Sequence, residues 1–146
     1  MDTIYTSDHL TIEHDVANSM LSLTWIGETT GGQFRDLATS VLTSIEATRA
    51  DKIVSDNSKW RIISPNDYGW AASFWFPMAE DQGIKRLATI QSEDIFHAAA
   101  EKEIQHMADT SRMRIATFKK REDALRWVLD SANAITKQQT RKVTGG

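Results

Sequence analysis

The stretch that decides the fold is residues 20–56, which read MLSLTWIGETTGGQFRDLATSVLTSIEATRADKIVSD. Residues 20–27 alternate apolar and polar side chains, as in a strand, and residues 52–55 form a second, shorter apolar run. The apolar residues between them recur at steps of three and four, which is typical of one face of a helix: Phe34, Leu37, Ala38, Val41, Leu42 and Ile45. Strand, helix and strand in this order predict a parallel pair with a crossover helix.

The same pattern continues on both sides of this stretch. Residues 9–15 alternate and lie close enough to residues 20–27 for an antiparallel hairpin. Further strands are predicted at 85–90 and 112–118, each between helices that begin at about Ser64, Ser92 and Lys120. We therefore expect a single α/β domain over residues 1–132. Its sheet is mixed, mainly parallel and five-stranded, with an N-terminal antiparallel hairpin followed by repeating helix-strand units and four helices in all. Residues 133–146 are polar and are expected to form a flexible tail.

Composition excludes several classes of protein. The chain has 146 residues, no cysteine and a formal net charge of −3, so thiol chemistry and thiolate metal sites are excluded. The slightly acidic balance argues against a nucleic-acid partner. No apolar run approaches the roughly 18 residues that span a bilayer, so we expect no membrane insertion. The first 15 residues are acidic, unlike a signal peptide, and we expect a soluble, cytoplasmic protein.

Ligands collect just after the strands in parallel α/β sheets, and the residues at those places are Asp56, Asn57, Ser58 and Ser92. Asp56 follows the strand at 52–55, and its simplest interpretation is an Asx turn that closes the strand. Ser64 precedes a proline, and Asp67 follows three residues later, which is the pattern of a helix start with a capping hydroxyl. We therefore interpret Ser64 as a cap before a modification site.

Aromatic side chains concentrate in one segment. Six of the 12 aromatic residues lie between positions 60 and 76: Trp60, Tyr68, Trp70, Phe74, Trp75 and Phe76. At about 100° per residue, Trp70, Ala71, Phe74, Trp75 and Met78 share one face of a helix, which we expect to be buried. Phe76 points away from that face, towards a partner or at a bend imposed by Pro77.

Catalytic and metal-binding patterns are weak. Glu93, His97 and Glu101 lie four residues apart, but this is also the spacing of exposed side-chain pairs, and the chain has no fuller ligand motif. We predict no metal and no cofactor. No nucleophile elbow or glycine-rich phosphate loop is present, so an enzyme that uses Asp56 and Asp67 is the last of our hypotheses.

The order of elements resembles the SpoIIAA-like fold, which STAS domains and, more distantly, CRAL-TRIO lipid-carrier domains share. Local features resemble small uncharacterised bacterial STAS/SEC14-domain proteins, and these features run along the chain as follows: Asp56, Ile63-Ser64-Pro65, Asp67, Trp70, Trp75-Phe76-Pro77 and Gly83-Ile84-Lys85. The resemblance covers about residues 9–131. In STAS antagonists a phosphorylated serine begins the second helix, and Ser64 occupies that place here.

Two hypotheses follow. The first is a non-enzymatic interaction module, a homodimer or a binder of a protein partner, whose contact surface is the aromatic second helix and the loop before it. Its candidate residues are Asp56, Trp60, Ser64, Asp67, Trp70, Phe74, Trp75 and Phe76. The alternative is a carrier or sensor of a small apolar ligand held between that helix and the sheet. Outward directions of Phe76 and Trp70 favour the interface, and inward directions around a void favour the ligand.

Overall fold

The computed structural model describes residues 1–62, 64–108 and 110–130. It has a six-stranded sheet with the strands side by side in chain order: β1 Asp2–Thr6, β2 Leu10–Asp15, β3 Met20–Thr29, β4 Lys52–Ile62, β5 Arg86–Ile90 and β6 Arg114–Phe118. The β1–β2 and β2–β3 pairs are antiparallel, and the three remaining pairs are parallel. The mixed, mainly parallel sheet is confirmed. The predicted number of five strands is wrong, because β1 is also present.

The four predicted helices are confirmed. They are α1 Gly31–Thr48, a continuous helix α2 built from Pro65–Trp70, Ala71–Trp75 and Phe76–Asp81, α3 Ile95–Met107 and α4 Arg121–Leu129. None of the helices in the described ranges is both long and apolar enough to cross a membrane. The predicted tail at 133–146 lies outside the described residues.

The two faces of the sheet carry two separate apolar cores. In the adjacent strands β4 and β5, Ile53 and Leu87 point to one face, whereas Val54 and Ala88 point to the other. Helices α1, α2 and α3 cover the first face and form the larger core with it. Helix α4 covers the second face through Ala124 and Val128.

Strand β4 does not end at Asp56, contrary to the prediction. Thr24 pairs with Asp56 and Ile26 pairs with Lys59, so two residues of β4 lie opposite one residue of β3. This is a β-bulge. The Asp56 carboxylate accepts hydrogen bonds from the Ser58 backbone N–H (3.0 Å) and hydroxyl (2.6 Å). The turn chemistry is therefore real, but it shapes a bulge within a strand that continues to Ile62.

Helix α2 contains a wide turn just before Pro77. Over Ala71–Trp75 the turns are π-helical, and the Phe76 N–H donates to the Ala71 carbonyl, five residues back. Each extra residue in a turn rotates the following side chains by about 100°. Phe76 is therefore 9% exposed, whereas Phe74 is 40% exposed. The prediction that Phe76 points away from the core is wrong, and Phe76 keeps the α-helical dihedrals (φ −63°, ψ −45°) that Pro77 was expected to disfavour.

Candidate functional site

The unusual element of this fold is α3, whose polar face points inwards. His97, Glu101 and Gln105 recur every fourth residue, and all three face the sheet or α2, with His97 and Glu101 buried. The opposite side exposes Ile95 (75%), Phe96 (81%) and Met107 (49%). A helix on a sheet ordinarily has the reverse arrangement.

Glu101 is the centre of a buried hydrogen-bond network. Its Oε2 accepts from Asn57 Nδ2 (2.5 Å), and its Oε1 accepts from the Ser92 backbone N–H (3.1 Å). Asn57 Oδ1 in turn accepts from the Ser55 hydroxyl (2.7 Å). Burial raises the pKa of Glu101 to about 7, against the opposing effect of these hydrogen bonds. The bulge in β4 therefore places Asn57 where it can satisfy a carboxyl group from α3.

A second polar contact joins α3 to the edge of the sheet. The Thr117 hydroxyl donates to Gln105 Oε1 (3.0 Å), and Gln105 Nε2 donates to Thr89 Oγ1 (3.4 Å). The two threonine hydroxyls also lie 3.1 Å apart on neighbouring strands. A polar layer thus separates much of α3 from β4, β5 and β6.

His97 packs against Trp60, whose backbone lies close enough to oppose the effect of burial on the pKa of the imidazole. Its ring lies edge-on to Trp60, with 5.5 Å between the ring centroids. Among the described residues neither ring nitrogen has a hydrogen-bond partner. Burial lowers the pKa of His97 to about 4, so the imidazole is neutral at pH 7.

A cavity of about 80 Å³ lies between α1, α2, α3 and the sheet. Its apolar wall includes five aromatic side chains, Trp25, Phe34, Trp60, Trp75 and Phe76. Its polar wall is the inner layer just described, with Ser55, Asn57, Thr89, Glu101 and Gln105. Phe76 therefore points inwards and around a void.

Two of the predicted interface tryptophans are internal. Trp60 stacks on Trp25 with 4.1 Å between the ring centroids, and its indole N–H donates to the Thr29 hydroxyl (3.0 Å). The Trp75 indole N–H donates to the Ala38 carbonyl (2.8 Å). Both indole groups are thus satisfied inside the protein.

Asp67 connects two helices. It is buried, its Oδ2 accepts from the Gly31 N–H at the start of α1 (2.7 Å), and its Oδ1 accepts from Arg35 Nε (3.0 Å). Strand alternation directs Asp56 to the opposite face of the sheet, so the structure does not bring these two carboxylates together.

Ser64 is at the N-cap of α2, as predicted, but its hydroxyl makes no capping hydrogen bond. Its backbone carbonyl accepts from the Asp67 N–H (3.0 Å). The prediction that the hydroxyl caps the helix is therefore wrong. Proline at the first helical position already removes one of the N–H groups that a cap would satisfy.

Trp70 and Phe74 form the exposed part of the predicted aromatic surface. Their ring centroids lie 5.3 Å apart, and the Arg35 guanidinium lies over Trp70 at 5.4 Å. Trp70 also packs edge-on to the buried Phe34. This surface is small, because Trp70 is half-buried.

The residues with metal-like spacing are divided between surface and interior. Glu93 is exposed and pairs with Lys59 (2.9 Å), whereas His97 and Glu101 are buried. Within the described ranges, no three side chains of the metal-binding types come together as a metal site. The interpretation of this spacing as an exposed helix face is wrong for His97 and Glu101.

The outer face of α3 was missed by the sequence analysis. We define it as Ile95, Phe96, Ala99, Lys102, Glu103, His106 and Met107, all of which are exposed. A groove of about 430 Å³ runs along its first half, lined among others by Ile95, Ala98, Ala99, Lys102 and Lys119. The signal was present in the neighbouring residues Ile95 and Phe96, whose side chains no predicted core face contained.

Comparison with known proteins identifies the fold. No protein-family model matches the chain, and no curated protein matches it by sequence. Among solved structures it is similar to an uncharacterised protein of the DUF3478 family with a SpoIIAA-like fold from Shewanella loihica PV-4. That likeness has a TM-score of 0.53 and 15% identity, and it covers 86% of this chain and 98% of that one. It is also similar to apo-SiaC from Pseudomonas aeruginosa, with a TM-score of 0.48, 14% identity and coverage of 81% and 97%. The STAS/SEC14 family assignment stays a prediction, and the chain has the SpoIIAA-like fold.

Proposed function

We propose that this chain is a non-enzymatic interaction module that binds another protein chain through the outer face of α3. The observation that carries the proposal is the exposure of two neighbouring large apolar side chains, Ile95 at 75% and Phe96 at 81%. Fully covering a side chain of this size stabilises a complex by roughly 1.5–3 kcal/mol. Adjacent apolar residues beside a groove are typical of a contact surface.

The α2 surface at Trp70 and Phe74 is the smaller candidate. Phe74 is 40% exposed, and the Trp70 ring packs against Phe34 and under the Arg35 guanidinium. Trp60, Trp75 and Phe76, which the sequence analysis placed at the interface, are buried. The balance of exposed apolar area therefore favours α3 over α2.

The contacts of the carboxylates support a role without catalysis. Asp67 holds α1 to α2, Asp56 holds the bulge in β4, and both oxygens of Glu101 accept hydrogen bonds inside the protein. Asp67 and Glu101 thus have both carboxylate oxygens engaged inside the protein, and Asp56 has one oxygen engaged at the bulge.

A small apolar ligand is the second candidate, and the inward direction of Phe76 favours it. The volume of the cavity limits the size of the ligand. About 80 Å³ is roughly half of the 150 Å³ that holds benzene in an engineered core, and well below the roughly 300 Å³ at which ordinary ligand pockets begin. A ligand of a few non-hydrogen atoms fits this space, and a lipid chain does not.

Photo-crosslinking tests the choice of surface. A benzophenone amino acid replaces Phe96 in one variant, Phe74 in a second and the exposed Thr39 of α1 in a control. Each variant is irradiated in extract of the cell that makes the protein. We expect a discrete protein adduct, with itself or with another chain, at position 96 and none at position 39. An adduct confined to position 74 would move the contact surface to α2, and no adduct at either position would overturn the proposal.

A further inference from the structure

We propose that the cavity between α1, α2, α3 and the sheet is a binding site for a small neutral molecule that carries one hydroxyl or carbonyl oxygen on a short apolar body. This inference makes the small-ligand candidate specific, and it does not rest on the outer face of α3. Crosslinking at position 96 judges that face, whereas ligand titration judges the cavity, so either one can fail without the other.

The aromatic wall of the cavity favours an apolar body. Two of its indole N–H groups, those of Trp60 and Trp75, already donate to other groups inside the protein. A buried water needs about two to four polar partners, so this wall holds water poorly. An apolar group of a ligand has no such requirement, and it gains dispersion contacts with the rings.

The polar wall offers N–H donors to the ligand. Asn57 and Gln105 both line the cavity, and a side-chain amide of this kind has two N–H bonds. One N–H of Asn57 donates to Glu101, and one of Gln105 makes a long contact of 3.4 Å with Thr89. The second N–H of each amide has no acceptor in the part of the chain that the structure describes. A hydroxyl or carbonyl oxygen of a ligand supplies an acceptor, whereas a hydrocarbon does not.

The interior position of the cavity disfavours a charged ligand. Burial raises the pKa of Glu101, which lines the cavity, to about 7, and it would oppose the charge of a ligand carboxylate in the same way. An ammonium group would find both Glu101 oxygens already engaged, by Asn57 and by the Ser92 backbone N–H. The site therefore favours a neutral molecule.

The small volume determines the size of the ligand and the expected affinity. The cavity of about 80 Å³ is roughly half of the one that holds benzene, so it accommodates about three or four non-hydrogen atoms. A ligand of this size makes few contacts, and we expect a dissociation constant in the millimolar range.

A titration with three probes tests the site. Acetone, 2-propanol and acetate have the same number of non-hydrogen atoms, but only acetate is charged. Each is titrated into the isotope-labelled chain at about pH 7, and the indole signals of Trp60 and Trp75 are followed by NMR. We expect shifts that saturate with at least one neutral probe and do not saturate with acetate. Saturation with neither neutral probe, or equally tight binding of acetate, would overturn the inference.

Filling the cavity should abolish binding of the neutral probe. Ala71 lines the cavity, whereas Ala47 is an exposed residue of α1. We expect Ala71→Leu to weaken binding at least tenfold, and Ala47→Leu to leave it unchanged. Circular dichroism shows whether each variant is folded. A folded Ala71→Leu variant that binds the probe as tightly as the unchanged chain would place the site elsewhere and contradict the proposal.

A second variant tests the polar contact, and it also serves where Ala71→Leu does not fold. Gln105→Met keeps the length of the side chain but removes its N–H donor. We expect binding of the neutral probe to weaken about tenfold, because one hydrogen bond is lost. Xenon forms no hydrogen bond, so its binding should be the same in the variant and in the unchanged chain. Unchanged binding of the neutral probe, or loss of xenon binding as well, would show that Gln105 does not hold the ligand oxygen and would refute the assignment.

Discussion

Helices α1 and α3 lie on the same face of the sheet but are built in opposite ways. Helix α1 buries six apolar residues: Phe34, Leu37, Ala38, Val41, Leu42 and Ile45. Helix α3 buries His97, Glu101 and a single large apolar residue, Ile104. Helix α1 exposes polar residues such as Asp36 and Glu46, whereas α3 exposes Ile95 and Phe96.

The difference separates two tasks of a helix. The apolar stripe of α1 contributes stability through the area that it removes from water. The inner face of α3 contributes less in this way, and its carboxyl group is tolerated because Asn57 and Ser92 supply hydrogen bonds to both oxygens. The apolar area of α3 is instead available to a partner. Under the proposed function, the apolar area of α1 serves the fold and that of α3 serves contact.

The largest effect that this comparison predicts concerns a matched pair of isoleucines. Ile45 of α1 is 0% exposed, and Ile95 of α3 is 75% exposed. Ile45→Ala leaves a cavity in a close-packed core, so we expect it to lower the free energy of unfolding by about 2–5 kcal/mol. Ile95→Ala removes few internal contacts, so we expect a change within about 0.5 kcal/mol at a concentration where the chain is monomeric. Urea unfolding followed by circular dichroism measures both variants.

If Ile45→Ala and Ile95→Ala lowered the free energy of unfolding equally, the contrast between α1 and α3 would be wrong, because Ile95 would then be packed inside its own chain. Repeating the measurement at high protein concentration sharpens it. There, any stability that binding to another copy adds to the unchanged chain should be lost in Ile95→Ala.

The sequence predicts α1 well because one physical effect governs it. A stripe of apolar residues at helical spacing is most stable when it is buried in the core. The residues buried in α1 are therefore those that the pattern indicates. The central strands are predicted for the same reason, since apolar residues such as Ile53 and Leu87 are buried on a parallel sheet. Strand β1 is missed because all its side chains are exposed except Tyr5, so burial imposes no clear alternation.

The sequence does not predict α3 correctly because periodicity shows that two faces differ, not which one is inside. Glu93, His97 and Glu101 were interpreted as an exposed face, and the choice depends on Asn57, which is 44 residues from Glu101 along the chain. The bulge that positions Asn57 was itself interpreted as the end of a strand. The inward turn of Phe76 depends on the π-helical turn before Pro77, which a regular helical wheel does not contain.

The second prediction concerns how the buried titratable side chains of α3, Glu101 and His97, make the free energy of unfolding depend on pH. Between pH 4.5 and 7, folded Glu101 retains a proton that the unfolded chain has released, so its contribution to the free energy of unfolding falls as the pH rises. Between pH 4 and 6.5, folded His97 lacks a proton that the unfolded chain binds, so its contribution rises with pH. In the unchanged chain the two contributions oppose each other where the ranges overlap.

Replacing either Glu101 or His97 should reveal the contribution of the other to the pH dependence of the free energy of unfolding. In Glu101→Gln we expect the free energy of unfolding to rise with pH between 4 and 6.5 more steeply than in the unchanged chain, by up to about 1.4 kcal/mol per pH unit. In His97→Leu the corresponding change should be a fall between pH 4.5 and 7. Urea unfolding at half-unit steps of pH measures these slopes. Parallel curves for the three proteins would show that neither group titrates in the folded state as proposed.

The smallest predicted effect concerns the N-terminal caps of α3 and α1. Asp94 caps α3, because its Oδ1 accepts from the N–H groups of Phe96 (2.9 Å) and His97 (3.0 Å), and these bonds and the Arg61 ion pair lower its pKa. Thr30 occupies the same position before α1, but its side chain makes no capping bond. Loss of a bonded cap costs about 1 kcal/mol, so we expect Asp94→Ala to lower the free energy of unfolding by about that amount.

Thr30→Ala should change the free energy of unfolding by less than about 0.5 kcal/mol, because it removes no hydrogen bond. The remote carboxylate of Asp67 performs the task at α1, since it accepts from the Gly31 N–H. Asp67→Asn is therefore the matched variant for α1: it keeps an acceptor for that N–H but removes the charge that faces Arg35. Thermal unfolding at pH 7 ranks these variants, and we expect Thr30→Ala to be the mildest. A loss in Thr30→Ala as large as in Asp94→Ala would mean that the Thr30 hydroxyl caps α1 in solution, and that the start of α1 does not depend on Asp67.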